Sequence, residues 1–356
     1  METHNHSFPW LELIDHPAFC VKDGVVIAAN SPAEHMLRVG TDIREIVTEN
    51  CDAYEAFESG TLYLTVSVCG LPCPASVTRT HDCDIFRIHR DEEDGVLQAL
   101  ALAAMQLRVP LANVMTVTDR LFSNMEHAEE QTQRQTSQIN QNLYRLLRII
   151  SNMSDAGSYQ RTGGSGMQTA DLPAVIDEIM EKAQAFFAGT NIRLAYSGLK
   201  TSVFGQANTE KLERAIYNLL SNAANFSPAG STVNAALTKN ANQLIFTVCN
   251  STPENPAEQS LWQRYRREPA IEDPRHGLGL GMTLVSAVAA AHGGTVLVDR
   301  PNAGETRVTM TVPIVKETAD TVRSPVLRIG DYAGGRDKGL MELAEVLPAN
   351  AFSNIN

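Results

Sequence analysis

Apolar residues change their spacing along this chain, and the spacing divides it into three stretches. Short apolar runs bounded by turn residues predict strands over residues 8–90, with a first hairpin that turns at Asp23 and Gly24. From 91 to 156 apolar residues recur at alternating steps of four and three, which is the spacing of packed helices. Beyond residue 170 strand and helix patterns are mixed, which predicts an α/β unit.

The helical stretch contains two apolar seams. A polar stretch from His127 to Ser137 separates them, so the chain is expected to fold back as an antiparallel hairpin. The exposed seam of this hairpin favours a second copy of the chain and a homodimeric four-helix bundle. The alternative is an intramolecular helical pair packed on the next domain. The seam positions are Leu100, Ala104, Leu107, Leu111, Val114, Thr118, Leu121 and Met125, followed by Ile139, Leu143, Leu146, Ile150 and Met153.

A glycine-rich linker that contains Gly163 and Gly164 precedes the α/β unit. Asp171 is expected to cap a helix that has Pro173 just inside its start and that runs to about Phe187. Mixed strands with helices on one face predict an α/β sandwich. Its other elements are expected as strands near 192–196, 231–237, 243–249, 294–299 and 306–313, and as helices near 208–225 and 280–292.

The charge balance of the chain limits its partners. The 41 acidic residues outnumber the 29 basic ones, which gives a formal net charge of −12. This balance argues against a nucleic-acid surface, because neutralising phosphates requires clustered Lys and Arg. No apolar run has the length of a membrane span, and the first residues lack the order of a signal peptide, so we predict a cytoplasmic protein. The six cysteines, spread from Cys20 to Cys249, fit a reducing compartment.

Four residues of the strand region are candidate metal ligands: Cys69, Cys73, His81 and Cys83. Their spacing, Cys-x3-Cys-x7-His-x-Cys, matches no ligand pattern that zinc sites use. Thiols buried within strands are the simpler interpretation, and the sequence leaves the metal question open.

A glycine cluster and two asparagines carry the strongest chemical signal. A glycine-rich turn that opens a helix exposes backbone N–H groups to an anion. Asn218 and Asn222 lie one helical turn apart, so both amides face one side, where they can reach a magnesium ion and a nucleotide. The combination indicates ATP. The glycine cluster consists of Gly277, Leu278, Gly279, Leu280 and Gly281.

These motifs resemble the nucleotide-binding boxes of one family. The segment Lys211–Pro228, which holds both asparagines, is similar almost throughout to the asparagine box of sensor histidine kinases. Residues 208–314 as a whole resemble the ATP-binding domain of that family, which has the gyrase-type (Bergerat) ATPase fold. Leu261–Arg267 resembles the family's aromatic box, residues 277–281 its glycine box and Ala291–Gly294 the turn that closes the following helix.

The resemblance implies a Mg–ATP site in which each box has a role. Asn222 would hold Mg²⁺ and Asn218 would contact the phosphate region, while the glycines approach the nucleotide. Tyr265 would take an aromatic place, and Arg264 or the two arginines after Tyr265 would meet phosphates. The polar loop at 268–275 would form a mobile lid over ATP.

Two positions depart from the family's boxes. Asn225 stands where the family usually has Lys or Arg, so one phosphate-neutralising charge is missing. Asn250 follows a strand where the family has an Asp whose carboxylate accepts a hydrogen bond from the adenine amino group. The carbonyl oxygen of Asn250 can accept that bond without the help of a charge, or Asn250 caps a turn with Ser251 and Pro253.

The phosphoacceptor region departs further. The family carries His-Glu-Leu-Arg-Thr-Pro-Leu on its first bundle helix, and residues 105–111 read Met-Gln-Leu-Arg-Val-Pro-Leu. Met105 therefore stands at the phosphorylated position, and a thioether has no proton to lose on phosphorylation. Gln106 replaces the carboxylate that orients the histidine, and Val109 replaces a polar residue that places water. The resemblance thus implies that autophosphorylation by the usual route is lost.

The opening order of strand, Asp-Gly turn, strand, Asn and helix resembles the start of PAS sensor domains. Together these patterns predict an α+β multidomain protein: a PAS-like α/β region, a two-helix hairpin forming a dimeric bundle, and an α/β sandwich that binds ATP. A tail contains a short amphipathic helix around Met341 to Leu347, which docks either on the ATP domain or on a partner. The expected ranges are 1–90 for the PAS-like sensor region, 91–158 for the hairpin, 159–169 for the linker, 170–315 for the ATP-binding domain and 316–356 for the tail.

The preferred interpretation is a homodimeric two-component signalling protein that binds ATP and Mg²⁺ without autophosphorylation and pairs with a response regulator or an active histidine kinase. One alternative is an active kinase that uses another acceptor or acts in trans on a partner. Another is an interaction module with a vestigial ATP site. His89 and His127 do not share the face and height of Met105 and are interpreted as solvated surface residues.

Overall fold

The computed structural model describes residues 8–14, 16–89, 92–123, 130–156, 166–252, 280–314 and 336–353. One ten-stranded sheet runs through the N-terminal region and the α/β unit, and a helical hairpin packs against the α/β unit. In these ranges no helix combines the length and the apolar character that crossing a bilayer requires.

The N-terminal region is a five-stranded antiparallel sheet with three short helices. Its elements are a 3-10 helix Pro9–Leu13, β1 Ala18–Lys22, β2 Val25–Ala29, α1 Ser31–Glu34, α2 Ile43–Ile46, α3 Cys51–Ala56, β3 Gly60–Val68, β4 Leu71–Arg79 and β5 Asp84–Ile88. The predicted hairpin turn is confirmed, because Asp23 and Gly24 both have positive φ, at 51° and 77°. Asn30 caps α1, and its Oδ1 accepts the N–H of Ala33 at 3.2 Å.

Two long helices follow, α4 Glu92–Ser123 and α5 Glu130–Ala156. The prediction of a polar connection from His127 to Ser137 was wrong in its second part, because α5 already begins at Glu130. The Gln, Glu and Arg residues at the start of α5 are good helix formers, so the helix extends beyond its apolar seam. The apolar pattern therefore marks where α5 packs rather than where it begins.

The two predicted seams are only partly buried within one chain. Leu111 and Leu143 are buried, and Met115 and Tyr144, which the pattern did not include, are buried as well. Helix α5 packs on α4 and also on the α/β unit and on the C-terminal segment. The alternative of a helical pair packed on the next domain thus describes the contacts within the chain. Four seam residues are nevertheless 47–51% exposed: Leu107, Val114, Ile139 and Leu146.

The α/β unit contains all the strands and helices that the pattern predicted. The elements are β6 Gln168–Asp171, α6 Leu172–Phe187, β7 Arg193–Ser197, β8 Phe204–Ala207, α7 Thr209–Asn225, β9 Thr232–Asn240, β10 Gln243–Ser251, α8 Leu280–Ala291, β11 Val296–Asp299 and β12 Glu305–Pro313. The small sheet of β6 and β8 was not predicted. Asp171 precedes α6, but its carboxylate accepts the N–H of Val203 at 3.1 Å instead of capping the helix.

The sheets of the two regions are joined edge to edge. The strand order is β2-β1-β5-β4-β3-β11-β12-β10-β9-β7, and β3 pairs antiparallel with β11 through Leu62 and Leu297 at the centre of the contact. Gly60 begins β3 with a φ of +94°, and a Cβ at this position would overlap the carbonyl oxygen of Val298. Glycine therefore permits the close approach of the two strands. This junction was not predicted.

The C-terminal segment, residues 336–353, is the last described part of the chain and includes α9 Lys338–Glu342 and a 3-10 helix Ala349–Phe352. The tail helix predicted around Met341 to Leu347 lies earlier, and residues 343–346 form turns. The segment contacts α6 and α7 of the α/β unit and also α5 of the hairpin. Its apolar residues complete the shared core, with no more than 2% exposure each: Met341, Leu343, Ala344, Leu347 and Phe352.

Candidate functional site

Helix α7 carries the predicted asparagines in three different environments. The helix begins at a cap in which Oδ1 of Asn208 accepts the N–H of Lys211 at 3.1 Å. Asn218 has 0% exposure, because Arg148 of α5, Gly281 of α8 and Glu342 of α9 lie against its side chain. Asn222 is half-buried and Asn225 is exposed. Because Asn218 and Asn222 are four residues apart, their side chains lie on the same side of α7.

The start of α8 lies directly against these two asparagines. An ideal Cβ on Gly281 would be 3.1 Å from Oδ1 of Asn218 and 3.6 Å from Nδ2 of Asn222. A glycine at this point lets α8 approach α7 closely without displacing either amide. The structure thus brings Asn218, Asn222 and Gly281 together at the junction of α7 and α8.

Most other predicted nucleotide-binding residues lie outside the described residues. Leu280 is the first residue of α8, and only its backbone is described. The loop proposed as a lid, 268–275, also lies outside them. The undescribed site residues are Arg264, Tyr265, Gly277, Leu278 and Gly279.

Asn250 lies near the C-terminal end of β10 and is buried, with 6% exposure. Its Nδ2 donates to the carbonyl oxygen of Ser251 at 3.2 Å, and the next residue, Thr252, donates its N–H to Gly304 at 2.7 Å. The strand runs to Ser251, two residues beyond the predicted end. The Ser251 contact is local, as the turn-capping interpretation expects, and Pro253 lies outside the described residues.

A buried histidine connects the two helices of the site. Nε2 of His292 accepts the N–H of Asn208 at 3.1 Å, and Nδ1–H donates to the carbonyl oxygen of Val288 at 2.7 Å. These roles require the neutral ring with the proton on Nδ1. Burial lowers the pKa of His292, which favours the same neutral form. His292 therefore ties the end of α8 to the start of α7.

Three charged side chains from distant parts of the chain meet at Asn218. Arg148 of α5, Arg214 of α7 and Glu342 of α9 have side-chain exposures of only 5%, 2% and 0%. Nε of Arg214 lies 2.9 Å from Oε1 of Glu342, and Nε of Arg148 lies 3.3 Å from Oε2. Each oxygen of the Glu342 carboxylate thus faces one guanidinium group. We call these three residues the buried charge cluster.

Asn218 is part of this arrangement through both ends of its amide. Its Nδ2 donates to Oε2 of Glu342 at 3.2 Å and to the carbonyl oxygen of Arg214 at 3.0 Å. Its Oδ1 accepts from Nη2 of Arg148 at 3.3 Å. The residue that the asparagine box assigns to the phosphate region is therefore hydrogen-bonded to a carboxylate of the same chain.

A second carboxylate of the C-terminal segment lies one turn further along. Oε2 of Glu345 lies 3.0 Å from Nη1 of Arg148 and accepts from Nδ2 of Asn225 at 3.2 Å. Asn225 is the position where the resemblance implies a missing cation. Two carboxylates of one short segment thus lie against the face of α7 that carries the asparagines.

The buried charge cluster was not predicted from the sequence. Arg148 interrupts an apolar run in α5, with Leu147 before it and Ile150 after it, and this was a usable signal of a buried charge. Nothing local pointed to Glu342 as its partner, because 194 residues separate the two in the chain.

The position equivalent to the phosphoacceptor lies on an exposed face of α4. Met105 is 63% exposed, Val109 is 66% exposed and Gln106 is also exposed. The interpretation of His89 as a solvated residue was wrong: it is half-buried, its Nε2 lies 3.2 Å from Oγ of Ser76, and burial lowers its pKa to about 4. His127 lies outside the described residues.

The four candidate metal ligands do not share one environment. Cys69 is exposed in a turn after β3, whereas Cys83 is buried. Burial and the neighbouring Cys83 raise the pKa of the Cys20 thiol. In the part of the chain that the structure describes, no three His, Cys, Asp or Glu residues are grouped in a way that could hold a metal ion.

Comparison with known proteins identifies the ATPase-type part of the chain. Residues 207–316 match the family of histidine kinase-, DNA gyrase B- and HSP90-like ATPases, and this range contains α7, Gly281 and β9 to β12. Sensor histidine kinase CusS of Escherichia coli (strain K12) is 27% identical over 217 residues, which are 59% of this chain and 44% of CusS. The chain therefore spans less than half the length of that relative.

The chain is also similar to parts of two solved structures. Full-length ShkA in complex with AMPPNP is 21% identical, with 62% of this chain and 47% of that chain covered at a TM-score of 0.48. Histidine kinase ThkA (TM1359) in complex with response regulator protein TrrA (TM1360) is 14% identical, with 85% of this chain and 96% of that chain covered at a TM-score of 0.40.

Proposed function

Because this chain belongs to the histidine kinase family, we propose that it is a two-component signalling protein that binds Mg–ATP at the junction of α7 and α8. The observation that carries the proposal is the meeting of Asn218, Asn222 and Gly281 at that junction. An amide oxygen is a suitable ligand for Mg²⁺, and the start of a helix offers backbone N–H groups to phosphates. The missing Cβ of Gly281 leaves room for such an approach.

The family boxes assign the individual roles. Asn222 holds Mg²⁺, Asn218 contacts the phosphate region and Asn250 accepts from the adenine amino group. Asn225 lies at the edge of the phosphate site. When bound, the nucleotide supplies a transferable phosphoryl group, while the residues of the chain bind it and exclude water. The remaining contacts are proposed for Arg264, Tyr265, Gly277, Leu278, Gly279 and Leu280.

We further propose that the chain does not phosphorylate itself at the usual position. Met105 is exposed on α4, where a partner domain can reach it, but its thioether sulfur has no proton to lose and no orienting carboxylate beside it. Gln106 is neutral, so it does not raise the basicity of a neighbouring group. Nucleotide binding then acts through conformation rather than through a phosphorylated residue.

The rest of the chain is proposed to serve input and assembly. The five antiparallel strands within residues 1–90 support a PAS-like sensor region. The half-exposed seam residues Leu107, Val114, Ile139 and Leu146 support a homodimer through residues 91–158. A response regulator or an active histidine kinase is the proposed signalling partner. The ATP-binding domain is proposed to span residues 170–315, after a linker at 159–169.

One observation favours a second candidate, an interaction module with a vestigial ATP site. Glu342 and the carbonyl oxygen of Arg214 together accept both N–H groups of the Asn218 amide, and Glu342 also pairs with two arginines. A protein that no longer binds nucleotide has no need to leave this position open. The two candidates differ in whether Mg–ATP binds at all.

Titration of the purified chain with Mg–ATP separates the candidates. We expect saturable binding that is lost in Asn222→Ala and kept in Asn234→Ala, which removes an exposed amide from β9. Incubation with labelled ATP is expected to give no acid-labile phosphoprotein. Binding that is equal in both variants would place the nucleotide elsewhere, and no binding by any of the three proteins would favour the interaction module.

A further inference from the structure

The C-terminal segment, residues 336–353, is fixed to the rest of the chain by both polar and apolar contacts. Its polar contacts reach the hairpin: Nε2 of Gln141 donates to the carbonyl oxygen of Leu347 at 2.7 Å, and Nδ2 of Asn140 donates to that of Phe352 at 3.1 Å. Its apolar residues enter the core between α5 and α7. The segment therefore bridges the hairpin and the ATPase-type unit. Its carboxylates, Glu342 and Glu345, lie against α7.

The surroundings of Glu342 have the composition of a phosphate site. Three donors surround the carboxylate, namely Nε of Arg214 at 2.9 Å, Nε of Arg148 at 3.3 Å and Nδ2 of Asn218 at 3.2 Å. Two of these donors are guanidinium groups, which bind carboxylate and phosphate oxygens with the same geometry. The two oxygens of Glu342 thus stand where two oxygens of a phosphate group would lie.

The charge of the surroundings also fits a more highly charged anion. Arg148 and Arg214 bring two positive charges to an almost completely buried place, and Glu342 neutralises one of them. The second negative charge is that of Glu345, which forms an ion pair with Arg148. Both negative charges come from the C-terminal segment, so its departure would leave two buried cations beside Asn218 with neither of these carboxylates.

We propose that Arg148, Arg214 and Asn218 form an anion site for the terminal phosphates of a nucleoside triphosphate, and that Glu342 of the C-terminal segment occupies this site until the nucleotide displaces it. This inference rests on the proposed nucleotide binding and names further residues for it. Arg148 belongs to the hairpin, so phosphate binding joins the hairpin to the ATPase-type unit. The two bound states exclude each other, because one set of donors serves both anions.

The affinity of matched variants for Mg–ATP tests whether the nucleotide displaces Glu342. Glu342→Gln keeps the size of the side chain and removes its charge, and we expect it to tighten Mg–ATP binding about tenfold, a typical coupling between two sites. Glu130→Gln removes an exposed carboxylate on α5 and is expected to leave the affinity unchanged. Arg148→Gln combined with Glu342→Gln is expected to lose the gain, because one phosphate donor is then missing.

Hydrogen exchange of the unaltered chain provides a second measurement that does not depend on the folding of a variant. The amides of Leu343 and Leu347 donate within the C-terminal segment, to Gly339 and Leu343. Saturating Mg–ATP is expected to raise their exchange rates several-fold as the segment leaves. Unchanged or slower hydrogen exchange at saturation would overturn the proposed displacement of Glu342, since the segment would then stay in place with the nucleotide bound.

The remaining outcomes separate the failure of this inference from the failure of the proposed function. Equal Mg–ATP affinity of the unaltered chain and Glu342→Gln would overturn the displacement and leave nucleotide binding standing. No binding by the unaltered chain or by Glu342→Gln would overturn both. Tighter binding by Glu342→Gln together with faster exchange of the segment supports both.

Discussion

The carboxylate of Glu342 accepts a hydrogen bond from Asn218 at 3.2 Å, although 124 residues separate the two in the chain. Asn218 lies in the asparagine box of an ATPase-type domain, and Glu342 lies in a segment beyond that domain. One contact therefore connects the candidate nucleotide site with the C-terminal segment.

Removing the carboxylate of Glu342 leaves two buried guanidinium groups without their shared partner. We expect Glu342→Ala to lower the free energy of unfolding by about 3–5 kcal/mol, the usual cost of breaking a buried ion pair on one side. Urea unfolding followed by circular dichroism measures this change. Glu345→Ala is the matched control, because its side chain is 31% exposed and its loss is expected to cost about 1 kcal/mol. Equal effects of the two substitutions would contradict the account of the buried charge cluster.

Adding a methyl group at Gly281 tests the junction of α7 and α8. The new Cβ would lie 3.1 Å from Oδ1 of Asn218, which is closer than an ordinary contact, so Gly281→Ala is expected to weaken Mg–ATP binding several-fold. Stability is expected to change by less than about 1 kcal/mol, because alanine favours the helix by a similar amount. Isothermal titration and thermal unfolding measure the two effects.

The control for this substitution is Gly189→Ala. A Cβ there would lie 3.6 Å from the carbonyl oxygen of Phe186, which is an ordinary van der Waals distance. No side chain of the asparagine site lies within 4 Å of it. Nucleotide affinity is expected to be unchanged in this variant. A loss of affinity in both variants would show that the effect of Gly281→Ala is not specific to the site.

The edge-to-edge junction of the two sheets depends on Gly60. A Cβ at Gly60 would overlap the carbonyl oxygen of Val298, and the positive φ adds backbone strain, so we expect Gly60→Ala to cost more than about 2 kcal/mol. Hydrogen exchange is expected to rise in β3 and β11 together. Gly70→Ala shares the positive φ but has no atom within 4 Å of the new Cβ, so only the strain remains. Similar exchange in both variants would argue against a close junction.

Burial of His89 makes stability dependent on pH. The pKa of His89 is lowered to about 4 in the folded chain, whereas an unfolded histidine has a pKa of about 6.5. Between these values the unfolded state binds more protons than the folded state. The contribution of His89 to the free energy of unfolding is therefore complete above about pH 6.5 and decreases as the pH falls toward 4. The loss is expected to be at most about 3 kcal/mol.

Urea unfolding between pH 7 and pH 4.5 measures this dependence. His89→Asn is expected to flatten the slope, because the group that titrates is removed. His35→Asn replaces an exposed histidine and is expected to keep the slope of the unaltered chain. A slope that persists in His89→Asn would assign the pH dependence to other groups.

Local signals predicted the parts of the fold that local chemistry determines. The Asp23-Gly24 turn was predictable because two residues that tolerate positive φ lie between two apolar runs. The spacing of Asn218 and Asn222 on one helix was predictable because helical periodicity puts residues four apart on one side. The turn after α8, which the family resemblance implied at Ala291–Gly294, contains Gly293 with a φ of +73°.

Contacts between distant segments were not predictable in the same way. The pairing of β3 with β11 joins Leu62 to Leu297 through backbone hydrogen bonds, which no side-chain pattern specifies. The approach of Glu342 to Arg148 depends on the path of the chain between them. The start of α5 was misplaced for a different reason: a polar helix end has no apolar period, and only its propensity distinguishes it from a loop.

The central claim is that the chain keeps a nucleotide site and lacks a phosphoacceptor. The most direct test incubates the purified chain with Mg–ATP labelled at the γ-phosphate and records bound nucleotide and acid-labile phosphoprotein in the same samples. We predict saturable binding that depends on Asn222 and no acid-labile phosphoprotein at any time point. An acid-labile phosphoprotein, or the absence of any bound nucleotide, would contradict the claim.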